Sequence, residues 1–90
     1  MAQQFGTQNI KKRLSLLVFI KGSTAPLVLY TDDTAGLYDE LNQLLKTNQV
    51  VLIEKETNGP LKKVCFWSNQ IAAVALQEEQ YVYNNFRKRT

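Results

Sequence analysis

The feature that most constrains the fold is the segment of residues 50–67, VVLIEKETNGPLKKVCFW, which predicts two strands joined by a tight turn. Asn58-Gly59 favours a two-residue hairpin loop, because a type I′ turn needs positive φ at both positions. Counting outward from this turn places Glu54 opposite Lys63. A hairpin usually keeps one face apolar and the other polar, but this one is apolar on both faces.

Strand alternation divides the apolar residues of the hairpin into two sets of four. One face carries Val51, Ile53, Val64 and Phe66, and the other carries Val50, Leu52, Cys65 and Trp67. Both sets need cover from water, because six to eight wet side chains would expose on the order of 500 Å² of apolar surface, an unusual amount for a soluble monomer. The burial forgone would be roughly 12 kcal/mol, which is comparable to the stability of a whole domain.

Residues 13–31 predict a second hairpin with the same property. RLSLLVFI is rich in branched and aromatic residues, Lys21-Gly22-Ser23 is a turn signal, and PLVLYT follows as a second strand. Pro26 favours an edge or entry position for that strand. In the first strand Leu14, Leu16, Val18 and Ile20 alternate with Leu17 and Phe19, so both faces are again apolar.

The segment TDDTAGLYDELNQLLKTN predicts the single helix of the chain. Its apolar residues recur at helical spacing and line one side of the helix: Leu37, Tyr38, Leu41, Leu44 and Leu45. Asp32, Asp33 or Thr34 can cap the first turn. Lys46 and Asn48 are the matching stop signals.

The predicted fold class is therefore α+β, in the order β-β-α-β-β. We expect an antiparallel or mixed sheet of four to five strands with the helix on one face. Ser68-Asn69-Gln70 interrupts the last hairpin, and IAAVALQ continues as a bent strand or as a fifth short one. One helix covers only one face of a sheet, so the other face needs a different cover.

Four alternatives could cover the second apolar face of the sheet. They are a second copy of the chain, residues 77–86 (QEEQYVYNNF) folding back with Tyr81, Tyr83 and Phe86, a different protein, and a barrel closed on itself. We favour the second copy, because closed two-fold assemblies are common among small chains.

The domain boundaries follow from composition. Residues 1–13 predict a flexible basic arm, residues 14–80 a single domain, and residues 81–90 a basic tail. The two ends carry six positive charges, so the remaining five cations face all eight acids and the body is net negative. The basic character of the chain thus belongs to its ends.

The ends support an alternative function. An oligomer that gathers several basic ends would bind nucleic acid through phosphates without sequence preference. The residues concerned are Lys11, Lys12, Arg13, Arg87, Lys88 and Arg89. No aromatic motif or helix-turn-helix pattern supports this alternative further.

The chain has no histidine, which removes the usual general base and the usual zinc ligand. Cys65 sits in mid-strand beside Trp67, which predicts a small packed side chain rather than a nucleophile. Asp32 and Asp33 are explained by helix capping without a metal. We therefore predict a protein that is not an enzyme and that needs no cofactor or metal.

Membrane insertion and secretion are not expected. An apolar run such as residues 16–20 is far shorter than the roughly 20 residues that span a bilayer. Residues 1–13 contain several amide side chains and lack the apolar core of a secretory signal. A lone cysteine fits a reducing compartment, so a cytoplasmic location is expected.

Four segments, FIKGSTAPLVLY, GLYDELNQLL, VVLIEKE and KKVCFWSNQIAAVALQEE, give the chain a likeness to known proteins. Over about residues 17–79 it resembles a family of small uncharacterised proteins of cyanobacteria and plastids. The resemblance implies a domain of one helix and four strands, and it implies no site residue.

These observations predict a small interaction or regulatory module that forms a homodimer or higher homo-oligomer through its sheet, with a different protein as another possible partner. The predicted contact residues are those of the uncovered apolar faces, taken from both hairpins and the last strand: Leu17, Phe19, Val50, Leu52, Trp67 and Val74.

Overall fold

A computed structural model describes residues 10–82 of the chain and contains one helix and five strands in that range. The elements are β1 (Ile10–Ile20), β2 (Leu27–Leu29), α1 (Thr34–Thr47), β3 (Leu52–Glu56), β4 (Lys63–Trp67), a 3-10 turn (Ser68–Gln70) and β5 (Ile71–Val82). This content confirms the predicted α+β class and the fifth strand.

The strands form two antiparallel sheets rather than one. The first has the order β2-β1-β5, and the second consists of β3 and β4. A single bridge between Tyr30 and Asn58 connects the end of β2 to the end of β3. Because only one bridge joins them, the two sheets pack around a shared core instead of forming one continuous layer.

Helix α1 follows the predicted signals. Asp33 is the N-cap, and its Oδ1 accepts a hydrogen bond from the backbone N–H of Gly36 at 3.0 Å. Asn48 ends the helix in the left-handed conformation with φ of 60°, and its N–H donates to the carbonyl of Leu44. The helix lies over β1 and β5 of the first sheet.

The core lies between the helix and the two sheets. Its buried apolar residues come from every layer: Leu16, Val18 and Leu29 from the first sheet, Leu37 and Leu41 from α1, Ile53 and Val64 from the second sheet, and Ile71. The second sheet thus covers part of the apolar surface that the helix leaves open.

The register of the β3-β4 hairpin differs from the prediction by two residues. Glu54 pairs with Cys65, and Glu56 pairs with Lys63. A type I′ turn does not form, because among the described non-glycine residues only Asn48 has positive φ, so Asn58 lacks the required conformation. A shift of two residues leaves both predicted faces unchanged.

The boundary predicted for the basic arm is wrong for residues 10–13. Strand β1 begins at Ile10, and Lys11, Lys12 and Arg13 pair with the last part of β5. At the other end β5 continues to Val82, beyond the predicted boundary at residue 80. The rest of the arm and of the tail, residues 1–9 and 83–90, lies outside the described residues.

The fold-back of residues 77–86 is not observed in the part of that segment that the structure describes. Residues 77–82 continue β5 and pair with the first half of β1. They extend the first sheet and do not cover its second face. Tyr83 and Phe86 lie outside the described residues.

Candidate interaction surface

The outer face of the β3-β4 hairpin carries a group of exposed apolar side chains. Leu52 and Trp67 are cross-strand partners, and their side chains are 49% and 51% exposed. Val50, which precedes β3, is 59% exposed. We call Val50, Leu52, Cys65 and Trp67 the hairpin patch.

Cys65 is part of this surface, so the prediction that it is packed is wrong. It is exposed, and it neighbours Trp67 on the same face of β4. The inner face of the hairpin holds Val64 and Ile53 in the core, and strand alternation therefore turns Cys65 outward.

Ser68 fixes the base of the hairpin and thereby the orientation of Trp67. The Ser68 hydroxyl donates to the carbonyl of Gln49 at 2.7 Å and accepts from the N–H of Val51 at 2.9 Å. The N–H of Ser68 also donates to the carbonyl of Val51 at 2.8 Å. Because Ser68 is buried in this network, the preceding residue, Trp67, points to the other side.

A groove of about 510 Å³ borders the hairpin patch between α1 and β3. Leu44 lines it on the helix side, and consecutive residues of β3, Leu52 and Ile53 among them, line it on the strand side. An ion pair between Lys55 Nζ and Glu40 Oε2 at 3.1 Å bridges the two walls. The exposed apolar surface therefore continues from the patch into this groove through Leu52.

The other predicted contact residues lie elsewhere. Phe19 and Leu17 are on the face of the first sheet that points away from α1, where Phe19 is exposed and Leu17 is half-buried. Val74 pairs with Val18 on the helix side and packs against the core. The structure therefore brings Val50, Leu52 and Trp67 together and separates them from the remaining three.

The basic residues of the first half of β1 face acidic residues of β5. Lys12 Nζ lies 3.7 Å from a carboxylate oxygen of Glu78, and Arg13 Nε donates to Glu79 at 3.1 Å. The two glutamates therefore neutralise positive charge of Lys12 and Arg13 that the predicted nucleic-acid binding would need for contacts with phosphates. Lys11, which the nucleic-acid alternative also uses, is paired with Tyr81 in the β1-β5 ladder. The remaining residues of the alternative, Arg87, Lys88 and Arg89, lie outside the described residues.

Glu79 is the centre of a polar cluster on the first sheet that the sequence did not reveal. Arg13 Nε and the Tyr30 hydroxyl both donate to its carboxylate, the latter at 3.0 Å. The guanidinium carbon of Arg13 lies 4.0 Å from the centre of the Tyr30 ring. The register that places Leu29 beside Leu16 allows Tyr30 to reach across β1, and no local sequence pattern encodes that register.

The cluster lowers the pKa of Glu79. Desolvation alone would raise this pKa, but hydrogen bonding from Arg13, the neighbouring Ser15 hydroxyl and Tyr30, together with the charge of Arg13, outweighs it. Ser15 Oγ is buried and makes no contact of normal hydrogen-bond geometry, so the two well-formed bonds are those of Arg13 and Tyr30. Glu79 is therefore held ionised as a structural group.

Asp32 and Asp33 have structural roles. Asp33 caps α1, and Asp32 Oδ1 accepts a hydrogen bond from Asn58 Nδ2 at 3.1 Å. Between residues 10 and 82 there is no group of three or more metal-ligating side chains that could hold a metal ion. Helix α1, the one helix in this range, is too short and too polar to cross a membrane.

Comparison with known proteins gives no match for this chain among family models, curated proteins or solved structures.

Proposed function

We propose that this protein is a non-enzymatic interaction module that associates with a second copy of itself through the hairpin patch. The observation that carries the proposal is the pairing of Trp67 with Leu52 on a hairpin face where both side chains are half exposed. The few residues that dominate the binding energy of a protein interface are enriched in tryptophan and lie near its centre.

The size of the patch supports an interface of moderate strength. Its half-exposed side chains offer on the order of 300 Å² of apolar surface, and a two-fold contact would bury this area on both copies. Standard interfaces bury about 1,600 Å² in total, of which roughly 57% is apolar. The hairpin patch would supply much of the apolar part and leave polar contacts to its surroundings.

The charges around the patch suit a second copy. The outer face of the hairpin continues from the patch to Glu54, Glu56 and Lys63. In a two-fold contact the same surface meets itself after rotation, so Lys63 of one copy would approach a glutamate of the other. A face that carries both signs of charge tolerates this arrangement, whereas a face of one sign would repel its copy.

Trp67 is the only tryptophan of the chain, so its fluorescence reports on this face directly. With rising protein concentration we expect its emission to move to shorter wavelength and its quenching by acrylamide to decrease. The Leu52→Ser variant should shift this change to higher concentration, because it removes the cross-strand neighbour of Trp67 from the contact. The matched control is Leu61→Ser, an exposed leucine of the β3-β4 loop, which should behave as the unaltered protein.

An emission typical of a water-exposed indole at every concentration would reject the hairpin patch as a self-association surface.

A further inference from the structure

Strand β5 has an open edge along most of its length. It is 12 residues long, and within residues 10–82 it pairs with β1 on one side only. The helix α1 contacts a face of β5 and not its edge. The backbone groups of the other edge therefore have no strand partner in the described part of the chain. Such an edge is a template for pairing with another strand.

From Ala73 to Leu76 this edge lacks the features that protect edge strands in soluble proteins. Residues 71–76, IAAVAL, contain no charge and no proline. The one shift in the β1-β5 register lies at the start of β5, opposite Phe19 and Ile20, so the rest of the strand is regular. The charged residues Glu78 and Glu79 come later and form ion pairs with β1. Edges that stay unpaired usually carry lysine, proline or a bulge.

A second copy can pair with this edge about Ala75. Antiparallel pairing about a two-fold axis at Ala75 places Ala75 opposite its own copy and Val74 opposite Leu76. All residues at the centre of this contact are apolar, and Glu78 and Glu79 fall at its ends. In this register Glu78 lies opposite Ala72 and Glu79 opposite Ile71, at the ends of the contact. Centring the axis at residue 76 or 77 would bring the glutamates closer to its middle, which is less favourable.

The positions of Leu76 and α1 agree with this arrangement. Leu76 is on the helix side of β5, since it pairs with the buried Leu16, and yet it is 41% exposed. The register above would cover it with Val74 of the second copy. Because α1 lies over β1 and β5, the two helices would run side by side at roughly 10 Å, a normal packing distance for helices.

We infer that β5 pairs with β5 of a second copy in antiparallel fashion and forms a continuous six-stranded sheet in the order β2-β1-β5-β5-β1-β2. This contact goes beyond the proposed function, because it uses a strand edge that is separate from the hairpin patch. A chain with both contacts forms assemblies larger than a dimer, and a chain that loses one contact still forms a dimer through the other.

Cysteine cross-linking tests the edge contact and its register. In a Cys65→Ser background, Ala75→Cys should form a disulfide-linked dimer under mild oxidation, because the paired Cα atoms would lie about 5 Å apart. Ala73→Cys is the matched control. It has the same side chain on the same face, but it would lie about 14 Å from its own copy and should remain a thiol. Equal cross-linking of both variants, or of neither, overturns the inference.

The Leu76→Lys variant gives a second measurement. Because Leu76 is partly exposed, a lysine is tolerated in the single chain, but it places a charge in the contact. In sedimentation velocity this variant should form a smaller assembly than the unaltered protein, because it keeps only one of the two contacts. An unchanged assembly would contradict the edge contact.

The two proposals fail in different ways. If Ala75→Cys does not cross-link while Trp67 still becomes shielded with concentration, the edge contact is wrong and the hairpin patch stands. If Ala75→Cys cross-links while Trp67 stays exposed to water at every concentration, the edge contact stands and the hairpin patch is wrong.

Discussion

At the scale of single residues, the carboxylate of Glu79 stabilises the fold through its negative charge. Its carboxylate is held by Arg13 and by Tyr30, which come from two different strands. Because the pKa of Glu79 is lowered in the folded chain, its ionised form stabilises the fold. This contribution is complete above the pKa that Glu79 has in the unfolded chain, and it is lost as the pH falls through the lower pKa of the folded state.

The Tyr30→Phe variant tests this role. It removes one hydrogen bond to the carboxylate and keeps the ring beside Arg13, so we expect the pKa of Glu79 to rise. A ¹³C NMR titration of the Glu79 carboxyl carbon measures the change. Thermal unfolding should show a variant that is less stable at neutral pH and that loses less stability on acidification than the unaltered protein, because its folded-state pKa lies closer to that of the unfolded chain. Tyr38→Phe, on the helix, is the control and should leave the titration of Glu79 unchanged. An identical Glu79 titration in both variants would contradict the account.

The residue scale also shows what local sequence predicts well. The capping positions of α1 were predictable, because a carboxylate at the start and an asparagine after the end satisfy free backbone groups without any tertiary contact. The Tyr30–Glu79 contact was not predictable, because it depends on the register of three strands.

At the scale of elements, the N-cap of α1 gives a stability prediction. Replacing Asp33 by alanine removes the acceptor for the N–H of Gly36, and we expect it to lower the free energy of unfolding by about 1 kcal/mol. Urea denaturation measures the difference. Asp39→Ala removes the same charge from an exposed position inside the helix and should change the free energy by less than about 0.5 kcal/mol. Equal effects of the two variants would show that the loss is one of charge and not of capping.

The β3-β4 hairpin shows why an element can be predicted while its register is not. The strands and their faces follow from alternation, which a shift of two residues preserves. The turn prediction failed because the N–H of Asn58 donates to the carbonyl of Tyr30 at 2.6 Å, which draws it toward β2. Thr57 N–H then closes a wider loop by donating to Lys62. A tertiary contact thus overrides the local preference for a tight turn.

A tertiary contact also explains why the start of β1 was predicted as a flexible arm and not as part of a strand. Lys11, Lys12 and Arg13 resemble a solvated arm when the sequence is considered alone, and their opposite charges lie far along the chain at Glu78 and Glu79. Pairing of β1 with β5 brings the two sets together. The sequence separation of the partners is what hides this part of the strand from local analysis.

At the scale of the whole molecule, the second sheet covers part of the apolar surface that the two hairpins carry on both of their faces. The inner face of the hairpin closes the core through Ile53 and Val64, so the chain covers more of its apolar surface than one helix alone would. The outer face remains exposed at Leu52 and Trp67. Sequence alternation predicted which residues share this face, but it gave no means of deciding which of the two faces is buried.

If this chain associates with copies of itself, the mass of the unaltered protein in solution shows it. Size-exclusion chromatography with light scattering should give a mass of at least about 21 kDa, twice the 10.3 kDa of one chain, and the mass should rise with concentration. A constant mass near 10.3 kDa up to millimolar concentration would contradict the account.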